Sequence, residues 1–125
     1  KKIILIPVLT VFFLSACQTT NTLYAWGNYE STLFANFHEP DIKEAELQEY
    51  LLFLEKHPTS KKKVGPGLYA EAGTFMLELG NVEEAIKFYK LEATNWPPSE
   101  RVMQTLIKNL ESTTNSTAGS ITDAE

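Results

Sequence analysis

Chemistry-bearing residues are scarce in this 125-residue chain, which has one cysteine, Cys17, one arginine, Arg101, and two histidines, His38 and His57. A single cysteine excludes an internal disulfide and leaves no set of thiolates for a structural zinc. Each histidine stands alone near a proline. No histidine pair at helix-turn spacing, no phosphate-cradling glycine loop and no nucleophile elbow occurs. The carboxylates are numerous but ordinary: Glu44, Glu46, Glu49, Glu83 and Glu84 suit early helix turns or solvated faces. Glu71 and Glu78 are of the type that acts on glycan bonds, but nothing in their spacing singles them out. These absences point to a chain that is not an enzyme, with no metal, no cofactor and no small-molecule substrate. Strand-like alternation of useful length is also missing. The longest apolar run, residues 3–14, is interrupted by Thr10 and stops short of the roughly 20 residues needed to cross a bilayer.

That run nevertheless has a clear character. Lys1 and Lys2 precede it, and Ser15 and Ala16 follow, as in the charged, apolar and small-residue regions of a secretory signal peptide. Leu14-Ser15-Ala16-Cys17 resembles the lipobox of bacterial lipoproteins, an aliphatic residue and two small ones ahead of a cysteine whose thiolate can take a diacylglyceryl group. The resemblance implies cleavage after Ala16, a covalent lipid on Cys17, and acylation of the new amine by a chain such as palmitate. One acyl chain alone holds a protein to a membrane only reversibly, and several hold it firmly. Gln18 after the cysteine resembles an outer-membrane sorting signal. The implied location is the outer membrane, lipid-anchored and facing the periplasm.

With residues 1–16 removed, nine basic side chains face sixteen acidic ones, a formal charge of −7. Such a domain is repelled by nucleic acid and by anionic surfaces, which leaves proteins as its partners beyond the membrane that holds the anchor. Residues 17–23 read as lipidated cysteine and tether, 24–111 as the domain, and 112–125, rich in Ser and Thr, as a disordered tail. A domain this small, without disulfide or metal, has a marginal core that a partner can complete.

The domain reads as five helices around one core, an all-α small helical bundle. Tyr29, Leu33 and Phe37, with Phe34 alongside, predict a first amphipathic helix ending near Pro40. Asp41 with Glu44 predicts a capping box for a second, striped by Leu47, Tyr50, Leu51 and Leu54. Lys61-Lys62-Lys63 and Val64-Gly65-Pro66-Gly67 predict an exposed loop, where a like-charge run reads more readily as a solvated turn than as a binding patch. A third helix is expected over 68–79, stopped by a left-handed Gly80. Asn81 caps a fourth that runs to Trp96-Pro97-Pro98. A fifth over 99–111 carries Val102, Met103, Leu106, Ile107 and Leu110 on one side.

The third and fourth helices show a finer pattern. Tyr69, Ala72-Gly73, Ala85 twelve residues after Gly73, Tyr89 and Pro97 resemble one tetratricopeptide repeat, a helical hairpin of about 34 residues. Gly73 and Ala85 would let the helices approach closely, with Tyr69 and Tyr89 filling the sides. Met76 stands where the repeat has tyrosine, and Glu92 where it has a small residue. One such repeat cannot bury its own faces, so the flanking helices must serve as caps. Ala70, Thr74 and Leu77 are the groove positions. They form an interaction surface if the groove is open, and core if the helix over 41–57 fills it.

Tyr24-Ala25-Trp26-Gly27-Asn28-Tyr29 and Gly65-Pro66-Gly67-Leu68-Tyr69-Ala70-Glu71 resemble an uncharacterised family of short bacterial lipoproteins, domain-of-unknown-function family 4810. The resemblance covers about residues 24–110. Members tend to be encoded beside lipoproteins similar to the curli secretion pore, which implies a non-enzymatic adaptor or assembly factor in an envelope complex with a curli-pore-like partner. A pilotin-like chaperone of a secretin and a peptidoglycan-binding or cell-wall-acting protein are the alternatives. Trp26 reads either as an aromatic core anchor or as part of the interaction surface.

Overall fold

A computed structural model describes residues 22–57 and 61–122, with side chains as far as Thr114. The expected leader (residues 1–16), the motif at residues 14–17 and the tether as far as residue 21 lie outside the described residues. Among the described residues five α-helices follow one another: α1 (Tyr29–His38), α2 (Pro40–Lys56), α3 (Leu68–Glu78), α4 (Val82–Asn95) and α5 (Glu100–Thr122). A 3-10 turn (Pro97–Ser99) separates the last two. The architecture is all-α, and among the described residues the only β feature is a parallel bridge between Ala25 and Val64.

Helix ends fall where local backbone chemistry puts them. Gly80 is left-handed (φ +76°), its N–H bonds the Leu77 carbonyl at 2.9 Å, and the Asn81 N–H reaches the Met76 carbonyl at 2.8 Å. Those two bonds satisfy carbonyls that a helix end otherwise strands. Asn81 then caps α4 by accepting the Glu84 N–H at 3.3 Å. The start of α2 differs from expectation. Glu39 is its N-cap, without a side-chain cap bond, and Pro40 opens the helix, so Asp41 lies inside the first turn. Proline wins because its φ is already helical and it lacks the N–H that this position leaves unsatisfied.

Helices α1 and α2 form one hairpin, α3 and α4 a second, and α5 packs along α4. Tyr50 joins the hairpins. It is fully buried, donates its hydroxyl to the Leu68 carbonyl at 2.8 Å, and meets Phe75 edge to face. Around it the core gathers Leu47, Leu54, Val64, Leu68, Tyr69, Ala72, Phe75, Met76, Ala85, Tyr89 and Met103.

Two helices present a different face from the one expected. On α1 the buried residues are Thr32 and Ala35, whereas Phe34 and Phe37 are exposed, Phe37 to 71%. The cause is polar: Thr32 Oγ1 lies 3.0 Å from the Asn28 carbonyl and 3.2 Å from that of Glu46, and Asn28 Nδ2 donates to the same Glu46 carbonyl at 2.9 Å. Small residues allow that approach, and the phenylalanines are left outside. On α5, Met103, Ile107 and Leu110 turn inward, while Val102 and Leu106 face solvent. The helical backbone also runs on to Thr122, past the expected end at Glu111. Ser112, Thr113 and Thr114 donate their hydroxyls to carbonyls of Asn109 and Leu110 one turn back, so these polar side chains fold onto the helix's own backbone.

Candidate functional site

Most of the residues expected to pack the α3–α4 hairpin lie inside it, and Pro97 does not. Tyr69, Ala72, Ala85 and Tyr89 are buried. A Cβ placed on Gly73 would lie 2.6 Å from Tyr89 Cε1, so the glycine is required by an aromatic ring lying against its backbone. The Tyr89 hydroxyl sits 3.4 Å from Thr74 Oγ1. Pro97 is exposed and opens the 3-10 turn after α4. Burial, followed by the charge of Glu92, raises the Tyr69 phenol above its ordinary pKa. Tyr50 rises further from the same dominant cause.

Glu92, the departure from the repeat pattern, is wholly buried. Its Oε1 accepts the Gly67 N–H at 2.9 Å and the Ser99 hydroxyl at 3.2 Å, while Oε2 has no hydrogen-bond partner. Gly67 is the left-handed N-cap of α3 (φ +88°) and has no side chain with which to cap it. The carboxylate therefore supplies negative charge to the positive end of α3 from a neighbouring helix. Sequence reasoning treated Glu92 only as a mismatch, because its partner Gly67 lies 25 residues away.

The expected interaction residues differ in exposure. Ala70 and Leu77 pack against the core, and Thr74, exposed, donates its hydroxyl to the Ala70 carbonyl at 3.2 Å. Trp26, 40% exposed, lies with Tyr29 and over Gly65, where a Cβ would come within 3.1 Å of the indole.

An apolar groove that the sequence did not announce lies elsewhere. Pro40, Leu47, Leu51, Met76 and Leu79 line a cavity of about 490 Å³ between the start of α2 and the end of α3. A second hollow of about 400 Å³, lined by Leu51, Leu54, Met76, Phe88 and Leu91, shares Leu51 and Met76 with it and carries the groove on to α4. Leu79 is 64% exposed at its edge. Three helices contribute to this wall, so no single periodicity reveals it. A larger crevice of about 710 Å³ between α4 and α5 is lined as much by Lys90, Glu100, Gln104, Lys108 and Glu111 as by apolar groups, which suits solvent better than a partner.

Other reactive side chains are engaged singly. His38 stacks on Phe34, and the His57 ring meets the Lys62 carbonyl at 2.9 Å. Glu71 is raised above the ordinary carboxylate range by burial and then by the charge of Glu78, and Glu78 itself pairs with Lys43 at 3.5 Å. Among the described residues no group of three or more His, Cys, Asp or Glu is placed to hold a metal ion, and no helix is long and apolar enough to cross a membrane.

The family model described as a domain of unknown function (DUF4810) matches residues 23–106, and the chain belongs to that family. No curated protein and no solved structure matches it significantly.

Proposed function

We propose that this DUF4810 chain is a non-enzymatic adaptor of the cell envelope, lipid-anchored through Cys17 to the outer membrane and facing the periplasm. Its α3–α4 hairpin acts as one tetratricopeptide-like repeat with the other helices as caps. The fit of Tyr89 against Gly73 and the Gly80-Asn81 turn support that reading. The observation that carries the adaptor role is the groove along α2, α3 and α4, an apolar hollow between three helices whose edge leaves Leu79 mostly exposed. Covering apolar surface is worth about 25 cal/mol per Å², so an occupant with matching side chains gains directly from filling it. Glu44 and Lys43 border one end of the groove and Glu55 and Glu84 the other, a rim of net negative charge. Its occupant is an amphipathic helix with basic flanks, carried by an envelope protein, and the family resemblance makes a curli-type secretion pore the first candidate.

A photo-crosslinking residue at Leu79 in the full-length protein in cells tests this. The expected result is a covalent adduct with an envelope protein, lost in a Leu51→Asp background. Recovery of the uncrosslinked chain alone would overturn the reading. Deletion then identifies the role: an adaptor's loss leaves the pore in place but inactive, whereas mislocalised pore subunits would mean a pilotin-like chaperone instead. Cosedimentation with purified sacculi would move the function to the cell wall.

A further inference from the structure

Two segments distant in sequence meet at one end of the bundle. Ala25 N–H bonds the Lys63 carbonyl at 2.9 Å, and Gly65 N–H returns to the Ala25 carbonyl at 3.0 Å. Lys62 Nζ donates to the Thr22 carbonyl at 3.0 Å, across 40 residues. Lys63 is held over the Trp96 ring and donates to the Asn95 carbonyl. The loop lysines, 61 to 63, are exposed, and so are Leu23 and Trp26 beside them.

The charge at this end is opposite to that of the domain. The described residues 22–29, 56–57 and 61–70 contain Lys56, Lys61, Lys62 and Lys63 and no acidic residue, in a chain with sixteen acids. Glu55, next to Lys56 in sequence, lies on the groove, and Glu92, bonded to the Gly67 N–H, is buried. The same end is where the chain leads back to Cys17. Thr22 is five residues from that cysteine, so at roughly 3.3–3.6 Å per residue it stands at most about 18 Å away. Lysine, tryptophan and leucine together are the residue types that settle at a bilayer's polar boundary.

We infer that the surface formed by Leu23, Trp26, Lys61 and Lys62 binds the phosphate headgroups of anionic glycerophospholipids, so that the domain lies against the membrane by this end, with the start of α2 and the end of α3 directed away. The inference rests on the reading of Cys17 as the lipidated residue. That tether lets the lysines reach the surface, where a field that decays over about 8–10 Å acts on them. A lysine so placed changes the balance between apposed and free-standing domain about fivefold.

The test uses the mature protein in vesicles of phosphatidylcholine with and without phosphatidylglycerol, following quenching of tryptophan fluorescence by brominated lipid. Mass spectrometry of the same sample reports whether Cys17 carries lipid, so a failed anchor is distinguished from a failed patch. The mature Cys17→Ser chain, titrated with the same vesicles, measures the patch without the anchor. Quenching and binding are expected to require phosphatidylglycerol, to fall at high salt, and to drop about fivefold in each of Lys61→Gln and Lys62→Gln, with circular dichroism unchanged. Quenching indifferent to lipid charge, or unchanged in the double variant, would overturn the proposal. So would variants that lose a protein crosslink while keeping the same lipid response, because the patch would then serve a protein.

Discussion

The two helical hairpins are held together by different physics. Between α3 and α4 the contact is one of shape: Tyr89 lies against Gly73, and Ala72 and Ala85 are fully buried. Between α1 and α2 it is polar: Asn28, Ser31 and Thr32 all bond to Glu46, through its backbone carbonyl or its carboxylate. Close packing gains dispersion and loses steeply when a methyl group is added. A hydrogen-bonded clamp gains about 1 kcal/mol per bond and tolerates apolar residues on the outside. This is why Phe34 and Phe37 remain exposed on α1.

The contrast can be broken most forcefully at Gly73. Gly73→Leu should lower stability by about 3 kcal/mol or more through overpacking, read as a fall in the denaturation midpoint, and wild-type melting would show that Tyr89 does not occupy that space. Next in size is Glu92→Ala, which strips the Gly67 N–H of its acceptor and opens a cavity, for about 2–3 kcal/mol in urea denaturation. Glu92→Gln, which can keep an acceptor for Gly67 and Ser99, should lose much less, and equal losses would deny the cap its role.

In the first hairpin the effects shrink. Thr32→Val should cost about 1 kcal/mol by removing one buried hydroxyl bond, whereas Phe37→Ser should stay within about 0.5 kcal/mol; a reversal of that order would restore the aromatic face as the packing face. The smallest effect is electrostatic. Because Glu71 has a raised pKa in the folded state, the folded protein holds its proton more tightly than the unfolded chain does. Its charge therefore opposes folding at neutral pH, and the opposition fades as pH falls through the raised value toward 4.5. Glu71→Gln should thus stabilise slightly at neutral pH and not in acid, measured as paired thermal melts.

Legibility followed the same division. The second hairpin was readable because small and aromatic residues at fixed helical spacing state a packing requirement directly, as Gly73, Ala85 and Tyr89 do. The first was misread because its face is chosen by Asn28 and Thr32, polar residues that periodicity counts as solvent-facing. The aromatic stripe over Tyr29, Leu33 and Phe37 was real as a pattern, yet only part of it was used for the core. The groove was not visible at all, since Leu79 lies beyond the end of α3 and its companions come from three helices.

The sequence by itself determined the helical class, the interruptions between helices and the turn at Gly80, because proline, glycine and capping side chains act on backbone within a turn of themselves. Tertiary structure alone decided that Glu92 is buried, that α1 turns Thr32 inward, and that the lysine loop joins the segment leading to Cys17. Those outcomes depend on partners 25, 14 and 40 residues away, and a side chain's environment at such separations exists only once the helices have packed.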